Sequence, residues 1–239
     1  MNILIPMAGL GKRFQVTNYK TIKPLIRVNE KPMIEQTINS LNLDGKYFFV
    51  IRKDLFSEEL KSTLKSLTLD SQIIEIENLT RGAAETCLFA RNYINNDKEL
   101  IIANSDQIMF WDSKRFIAEA RKEIISGAIV TYHSNSLKNS YAKVDESGYV
   151  SEIQEKKLIS NLALTGIHYF RRGTDFVSSA SKMIAENNRS KGEFYVGPCY
   201  NYMINNGGLI KSYLIPSSQY NPVGTPEDLK RFEDKHGSI

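Results

Sequence analysis

Cysteine is nearly absent from this chain: among 239 residues only Cys87 and Cys199 occur, so no disulfide framework is implied. Cys87 shares the face of an expected helix with Ala83, Ala84, Ala90 and Ile94, and reads as a buried structural thiol rather than a nucleophile. No apolar run approaches the length of a membrane span. The apolar N-terminus lacks a basic leading region, contains Pro6 and runs straight into glycines; it reads as a core strand and not a signal peptide. A cytoplasmic protein without a membrane partner is expected. Net charge is only +4 and no Lys/Arg run exceeds three residues, which argues against a nucleic-acid partner. No Ser/His/Asp or Cys/His arrangement points to covalent catalysis, and there is no repeat, low-complexity stretch or linker. What is there is an ordinary globular composition, 41% hydrophobic and 24% charged, long enough for one large domain with a well-buried core.

Strand and helix signals alternate over the first half. Residues 2–8, 46–52, 71–77 and 99–103 are short apolar runs expected as strands. Residues 57–67, 82–94 and 113–126 carry helical spacing, the last with Asp112 as its cap. Such alternation argues for a mostly parallel sheet with helices on both faces. The second half is richer in strands, at 128–133, 141–145, 149–155 and 162–170, with a tight hairpin turn at Glu146-Ser147-Gly148. Helices are expected at 175–187 and 195–206, then a strand at 209–215. A final helix opens at Thr225-Pro226-Glu227-Asp228.

The most specific pattern follows the first strand: Gly9-Leu10-Gly11-Lys12-Arg13, then Lys23-Pro24-Leu25, then Lys31-Pro32-Met33-Ile34-Glu35. Glycines let the main chain turn sharply and approach a ligand. Inward-pointing N–H groups suit an anion, and Arg13 and Lys23 add full positive charges. Together they suggest a triphosphate site. The dinucleotide fingerprint is excluded because Phe14 stands at its third glycine. The Walker loop is excluded because Pro6 holds its first glycine's place and Arg13 that of Ser/Thr. In open α/β sheets ligands bind beyond the carboxyl ends of the strands. The glycine loop and Asn104-Ser105-Asp106 therefore face one edge, where Asp106 is expected to hold a Mg²⁺ shared with the α-phosphate.

These blocks, in this order, resemble the signature of the nucleotidyltransferase (sugar-nucleotide pyrophosphorylase) family: G-x-G-x-R, K-P-L, then K-P-M-[IL]-E. The likeness covers most of the chain. Glu155-Lys156, Thr165-Gly166-Ile167-His168 and Gly192-Glu193 match the family's E-K-P, T-G-[IL]-Y and G-E segments. Arg81-Gly82-Ala83-Ala84-Glu85 matches its small-residue segment beside base and ribose. The resemblance implies a single-domain Rossmann-like α/β fold over residues 1–239. Its mixed, mostly parallel sheet would have a nucleotide half over about 1–127 and an acceptor half over about 128–239.

It further implies a nucleotide site of Met7, Ala8, Gly9, Gly11, Arg13, Lys23 and Gly82, and an acceptor site of Lys156, Gly166 and Glu193. Arg13, Lys23 and Asp106 would be catalytic, with Mg²⁺ as cofactor on Asp106. The partners would be a nucleoside triphosphate and a small phosphorylated acceptor; oligomeric state is left open. Within the family the chain resembles the cytidylyltransferases that couple CTP to phosphoglutamine for capsule modification. Sugar 1-phosphate and phosphocholine acceptors remain alternatives. One departure is marked: where the family often has D-[IV]-G-T-P, this chain has Pro222-Val223-Gly224-Thr225-Pro226, so the second metal carboxylate is missing. Asn221 offers a neutral substitute, or Asp106, triphosphate and water suffice. Two rival readings stay open: a metal-dependent glycosyltransferase, which would want D-x-D where Asn104 and Asp106 stand, and a non-catalytic nucleotide-sensing subunit.

Overall fold

The computed structural model describes residues 1–237 except 18, 55, 69 and 123. Within them the chain runs β1 (Asn2–Pro6), α1 (Lys12–Gln15), β2 (Arg27–Val28), β3 (Lys31–Pro32), α2 (Met33–Leu41), β4 (Lys46–Arg52), α3 (Ser57–Leu67) and β5 (Ser71–Ile76). There follow α4 (Ala83–Leu88), α5 (Arg91–Ile94), β6 (Leu100–Ala103), β7 (Gln107–Met109), α6 (Ser113–Lys122) and β8 (Gly127–His133). The rest comprises β9 (Ser140–Val144), β10 (Val150–Glu155), β11 (Leu162–Phe170), α7 (Gly173–Ala185), α8 (Cys199–Asn205), β12 (Ile210–Leu214), β13 (Tyr220–Pro222) and α9 (Pro226–His236).

One mixed sheet of nine strands has the order β10-β9-β11-β6-β1-β4-β5, with β8 pairing β11 and β12. β5, β4, β1 and β6 are parallel and form its apolar centre. β11 runs antiparallel to β6, β8 and β9. Alternation along each strand divides the core into two layers. Leu4, Phe48, Val50 and Ile102 pack with Cys87, Phe176 and Met203 on one face. Ile3, Ile5, Phe49 and Ile101 pack with Ile34, Leu60 and Phe116 on the other. Both cysteines are fully buried, and desolvation raises their thiol pKa values, as a structural role requires. No described helix is long and apolar enough to cross a membrane.

Most expected elements are found. The hairpin turn after Asp145 is present, and Asp112 caps α6 by accepting a hydrogen bond from the Arg115 N–H at 2.9 Å. The long helix expected over 82–94 is instead two short ones, α4 and α5, divided at Phe89-Ala90. The helix expected to end at 126 is α6, closing at Lys122; residue 123 lies outside the described ones. α2 is an addition: its Pro32 entry and its buried Met33, Ile34, Thr37, Ile38 and Leu41 give one apolar stripe. A smaller apolar cluster joins Phe14, Ile26 and Val28 to Val223, Leu229 and Phe232, tying the glycine loop to α9.

His168 is 5% exposed and stacks on Tyr200, with its Nδ1 unpartnered. Burial lowers its pKa from 6.5 to about 3. The unfolded imidazole takes up a proton below about 6.5 while the folded one stays neutral, so acid favours unfolding and stability falls as pH drops from there toward 3. Between pH 7 and pH 5 this single group should remove about 2 kcal/mol of stability. Urea denaturation of wild type and His168→Phe at both pH values checks it; equal losses in the two proteins would contradict the assignment.

Candidate active site

The parallel strands end at a common edge, and the glycine loop leaves β1 there. Gly11, at φ 61°, caps α1, and the Phe14 N–H returns to the Gly11 carbonyl at 2.9 Å. Buried Phe14 anchors the far end of the loop. Ala8, Gly9, Gly11 and Arg13 thereby line a cavity of about 450 Å³, facing Gly82, Thr80 and Thr86. Met7 lies beside them with its side chain in the core. It continues the inward face of Ile3 and Ile5, is 8% exposed, and gives its N–H to the Val50 carbonyl.

The facing wall is clamped to a turn from the second half of the chain. Phe194 N–H donates to the Arg81 carbonyl at 2.8 Å, and Ala84 N–H donates to the Phe194 carbonyl at 2.9 Å. The guanidinium groups of Arg81 and Arg189 lie 5.1 and 5.0 Å from the Phe194 ring centre. Ser190 and Glu193 exchange two main-chain hydrogen bonds of 3.0 Å, closing a tight turn that brings Glu193 to the cavity lining. Gly82 has φ +140°, and a Cβ there would stand 2.5 Å from both Phe194 N and O. We expect Gly82→Ala to cost about 3 kcal/mol of stability and to weaken nucleotide binding. Urea melts and calorimetry with nucleotide check this; a variant as stable as wild type would show that the clamp yields.

Asp106 follows β6 at the same edge, with a partly exposed carboxylate. Its Oδ2 accepts a hydrogen bond from the Lys23 ammonium. Desolvation pushes the carboxyl pKa up, but Lys23, through charge and hydrogen bond, and Arg13, through charge, outweigh it and hold the pKa below its ordinary value. The segment after β13 lies directly against this pair. Val223 N–H donates to the Asp106 carbonyl at 2.9 Å. A Cβ on Gly224 would stand 2.5 Å from Asp106 Oδ2 and 3.4 Å from Lys23 Nζ.

Asn221 does not supply the substitute oxygen. Its buried amide donates to the Ile108 carbonyl at 3.4 Å, and its Oδ1 lies 3.4 Å from His236 Nε2 of α9. Strand alternation turns Pro222 the other way. Among the described residues no three His, Cys, Asp or Glu side chains gather to hold a metal. Mg²⁺, however, is commonly held by one or two carboxylates together with substrate phosphate oxygens and water. One ionised carboxylate beside the glycine loop fits that smaller requirement.

A second cavity, of about 850 Å³, opens on the other side of Arg13. Tyr132 lines it from β8, Lys138 and Asn139 from the β8–β9 connection, and Tyr220, Pro222 and Thr225 from the segment before α9. Arg13 lines both cavities. Of the expected acceptor residues, Glu193 faces the first cavity. Lys156 is exposed, donates its ammonium to the Lys138 carbonyl at 2.5 Å, and lies 5.9 Å from the Tyr195 ring centre. Gly166 sits in the irregular part of β11, packed on Asn104. Neither Lys156 nor Gly166 lines either cavity. Glu155 is buried, its carboxyl pushed up by desolvation and hydrogen-bonded by Ser140. The sequence reading missed Thr80 and Thr86, although they follow a parallel strand end as the glycine loop does, and missed Tyr132, Asn139 and Tyr220 altogether.

A sheet with a parallel centre, a glycine loop on its carboxyl edge and two cations beside one carboxylate places the protein in the open α/β class. The chain belongs to the nucleotidyl transferase family, whose profile matches residues 3–235. It is 25% identical over 223 residues to the bifunctional protein GlmU of Thermodesulfovibrio yellowstonii, covering 89% of this chain and 47% of that protein. It is 27% identical over 175 residues to GlmU of Methanococcus aeolicus, covering 71% and 40%. The chain thus spans less than half the length of these curated relatives. The nucleoside-diphosphate-sugar pyrophosphorylase of Vibrio cholerae RC9 superposes with a TM-score of 0.83 at 23% identity, over 96% of this chain and 98% of that one. The inositol-1-phosphate CTP transferase of T. maritima does so with a TM-score of 0.76 at 13% identity, over 98% and 96%. The expected single-domain α/β architecture is therefore the one found.

Proposed function

We propose that this protein catalyses nucleotidyl transfer. A phosphate oxygen of the acceptor attacks the α-phosphorus of a nucleoside triphosphate; that P–O bond forms as the bond to the β-phosphate oxygen breaks, and pyrophosphate leaves. The observation that carries this reading is Arg13, which lines the glycine-loop cavity and the larger one beyond it. One side chain thereby reaches both reacting phosphates.

The nucleophile is already anionic, so no general base is needed, and catalysis rests on alignment and positive charge. The main chain of the glycine loop cradles the triphosphate; Arg13 and Lys23 offset repulsion between the two substrates. Asp106 would hold Mg²⁺, which when bound neutralises phosphate charge and orients the α-phosphate. We assign the triphosphate to residues 1–127 and the acceptor to 128–239, because the larger cavity draws most of its walls from 132–139 and 220–231. Lys156 flanks the acceptor, since the Lys138 carbonyl that receives the Lys156 ammonium belongs to a residue of that wall, and Glu193, which lines the glycine-loop cavity with Arg13, is assigned to the acceptor's side nearest the triphosphate. Gly166 keeps the strand close to Asn104 behind them. A cytoplasmic location agrees with a soluble triphosphate substrate.

For the substrates we propose CTP and phosphoglutamine, giving a CDP-linked glutamine for capsule modification. The motif likeness at residues 1–14 and 221–229 supports this, and a solved CTP transferase shares the fold. A sugar 1-phosphate is the second reading, favoured by the fold shared with a nucleoside-diphosphate-sugar pyrophosphorylase. Pyrophosphate release should be measured with Mg²⁺ for CTP, UTP, GTP, ATP and dTTP against phosphoglutamine, phosphocholine and sugar 1-phosphates. Release only with CTP and phosphoglutamine is expected. Release with another pair replaces the substrates but keeps the reaction. Nucleotide binding without release from any pair favours the sensing-subunit reading.

A further inference from the structure

We infer that Lys23 occupies the cation position at Asp106 until a nucleotide arrives, so that the protein takes up a divalent metal only together with a triphosphate. The inference rests on Asp106 being the metal carboxylate of the proposed reaction.

Three features of the chain lead there. First, one carboxylate oxygen is already paired with a cation: Asp106 Oδ2 accepts from the Lys23 ammonium. Second, the lysine is held in place. Pro24 sits inside a 3-10 turn over Lys23–Leu25. The Lys23 stem packs on Gly11, where an added Cβ would come within 3.0 Å of Lys23 Cβ. Gly224 lies across the ammonium, its position for a Cβ 3.4 Å from Lys23 Nζ. Third, among the described residues no three His, Cys, Asp or Glu side chains gather here to hold a metal. Pro222 has no side-chain donor atom for a metal, and Asn221 is engaged by Ile108 and His236. Arg13 adds positive charge that acts on Asp106. The trio of Lys23, Arg13 and Asp106 is thus net positive and repels a free divalent cation.

A bound triphosphate reverses that sign. Its oxygens give Lys23 an alternative partner, reached by a pivot of the ammonium about its stem. Asp106 is then released to share a metal with the phosphates, which supply the ligands that Pro222 and Asn221 do not. The loss of the second carboxylate and the Lys23–Asp106 pair are two parts of one arrangement: a site with a single carboxylate, closed by a lysine and opened by the substrate.

Mn²⁺ titration followed by electron paramagnetic resonance tests this on the full chain. Wild type without nucleotide should show no tight Mn²⁺ site, and with α,β-methylene-CTP it should bind one Mn²⁺ per chain. Lys23→Met should bind Mn²⁺ without nucleotide at least about tenfold more tightly than wild type, and adding Asp106→Asn should abolish that gain. Circular dichroism checks folding, with Lys23→Gln as the second variant. Tight Mn²⁺ binding by nucleotide-free wild type overturns the inference whatever the variants do. So does a folded Lys23 variant that gains nothing. Calorimetry with the α,β-methylene analogues of CTP, UTP, GTP, ATP and dTTP separates the two levels: failure to bind any of them counts against nucleotidyl transfer itself, whereas metal uptake without nucleotide counts only against the role of Lys23.

Discussion

Asp106→Asn is expected to lower kcat about a thousandfold while leaving the protein folded. The amide keeps the shape of the carboxylate and can still accept a hydrogen bond from Lys23, so the local packing against Gly224 survives. The main-chain bond from Val223 N–H to the Asp106 carbonyl does not involve the side chain. What disappears is the one negative charge that Lys23 and Arg13 keep ionised at this edge of the sheet. Without it the site cannot hold a divalent cation against its own two positive groups, and the charge developing on the departing pyrophosphate is left less compensated. The loss should fall mainly on kcat, because the glycine loop and Arg13, the proposed triphosphate site, remain in place. Steady-state kinetics beside a thermal melt checks both halves; activity within about threefold of wild type would remove Asp106 from the mechanism.

Arg13→Ala has the second largest expected effect, a fall of about a hundredfold in kcat/KM. Arg13 lies on α1, whose position is fixed by Phe14 rather than by the arginine, so truncation should leave the loop in place. Because it lines both cavities, its loss should raise KM for the nucleotide and for the acceptor together. Arg13→Lys should restore charge but only part of the activity, since an ammonium cannot bridge two phosphates with a planar fork. A rise in KM for the nucleotide alone would show that Arg13 serves one cavity only, and the proposed meeting point of the substrates would have to move.

The sequence made some of this legible and hid the rest for identifiable reasons. The parallel strands were readable because burial on both faces leaves continuous apolar runs such as Ile3-Leu4-Ile5 and Phe48-Phe49-Val50. The placement of the glycine loop and Asp106 at one sheet edge was readable because both follow parallel strand ends. Met7 entered the expected set through the family resemblance, which does not specify that its side chain joins Ile3 and Ile5 in the core. Asn221 likewise depended on which face of a three-residue strand it takes, and that face is set by pairing with β7. The clamp on Gly82 needs Phe194, and the second cavity needs Tyr132 and Tyr220 together, whose rings lie 4.7 Å apart only once β8 and β13 are in position. Such tertiary contacts leave no local spacing to read. Lys156, with φ +55°, stands at a strand end whose direction no motif specifies.

The central claim is attack by an acceptor phosphate on the α-phosphorus within this cleft. The most direct measurement is 31P NMR of the wild-type reaction with ¹⁸O in the acceptor's phosphate. Label found in the diphosphate of the product, with none in the released pyrophosphate, is the predicted result. Label in pyrophosphate, or a product without an acceptor-derived diphosphate linkage, would contradict it.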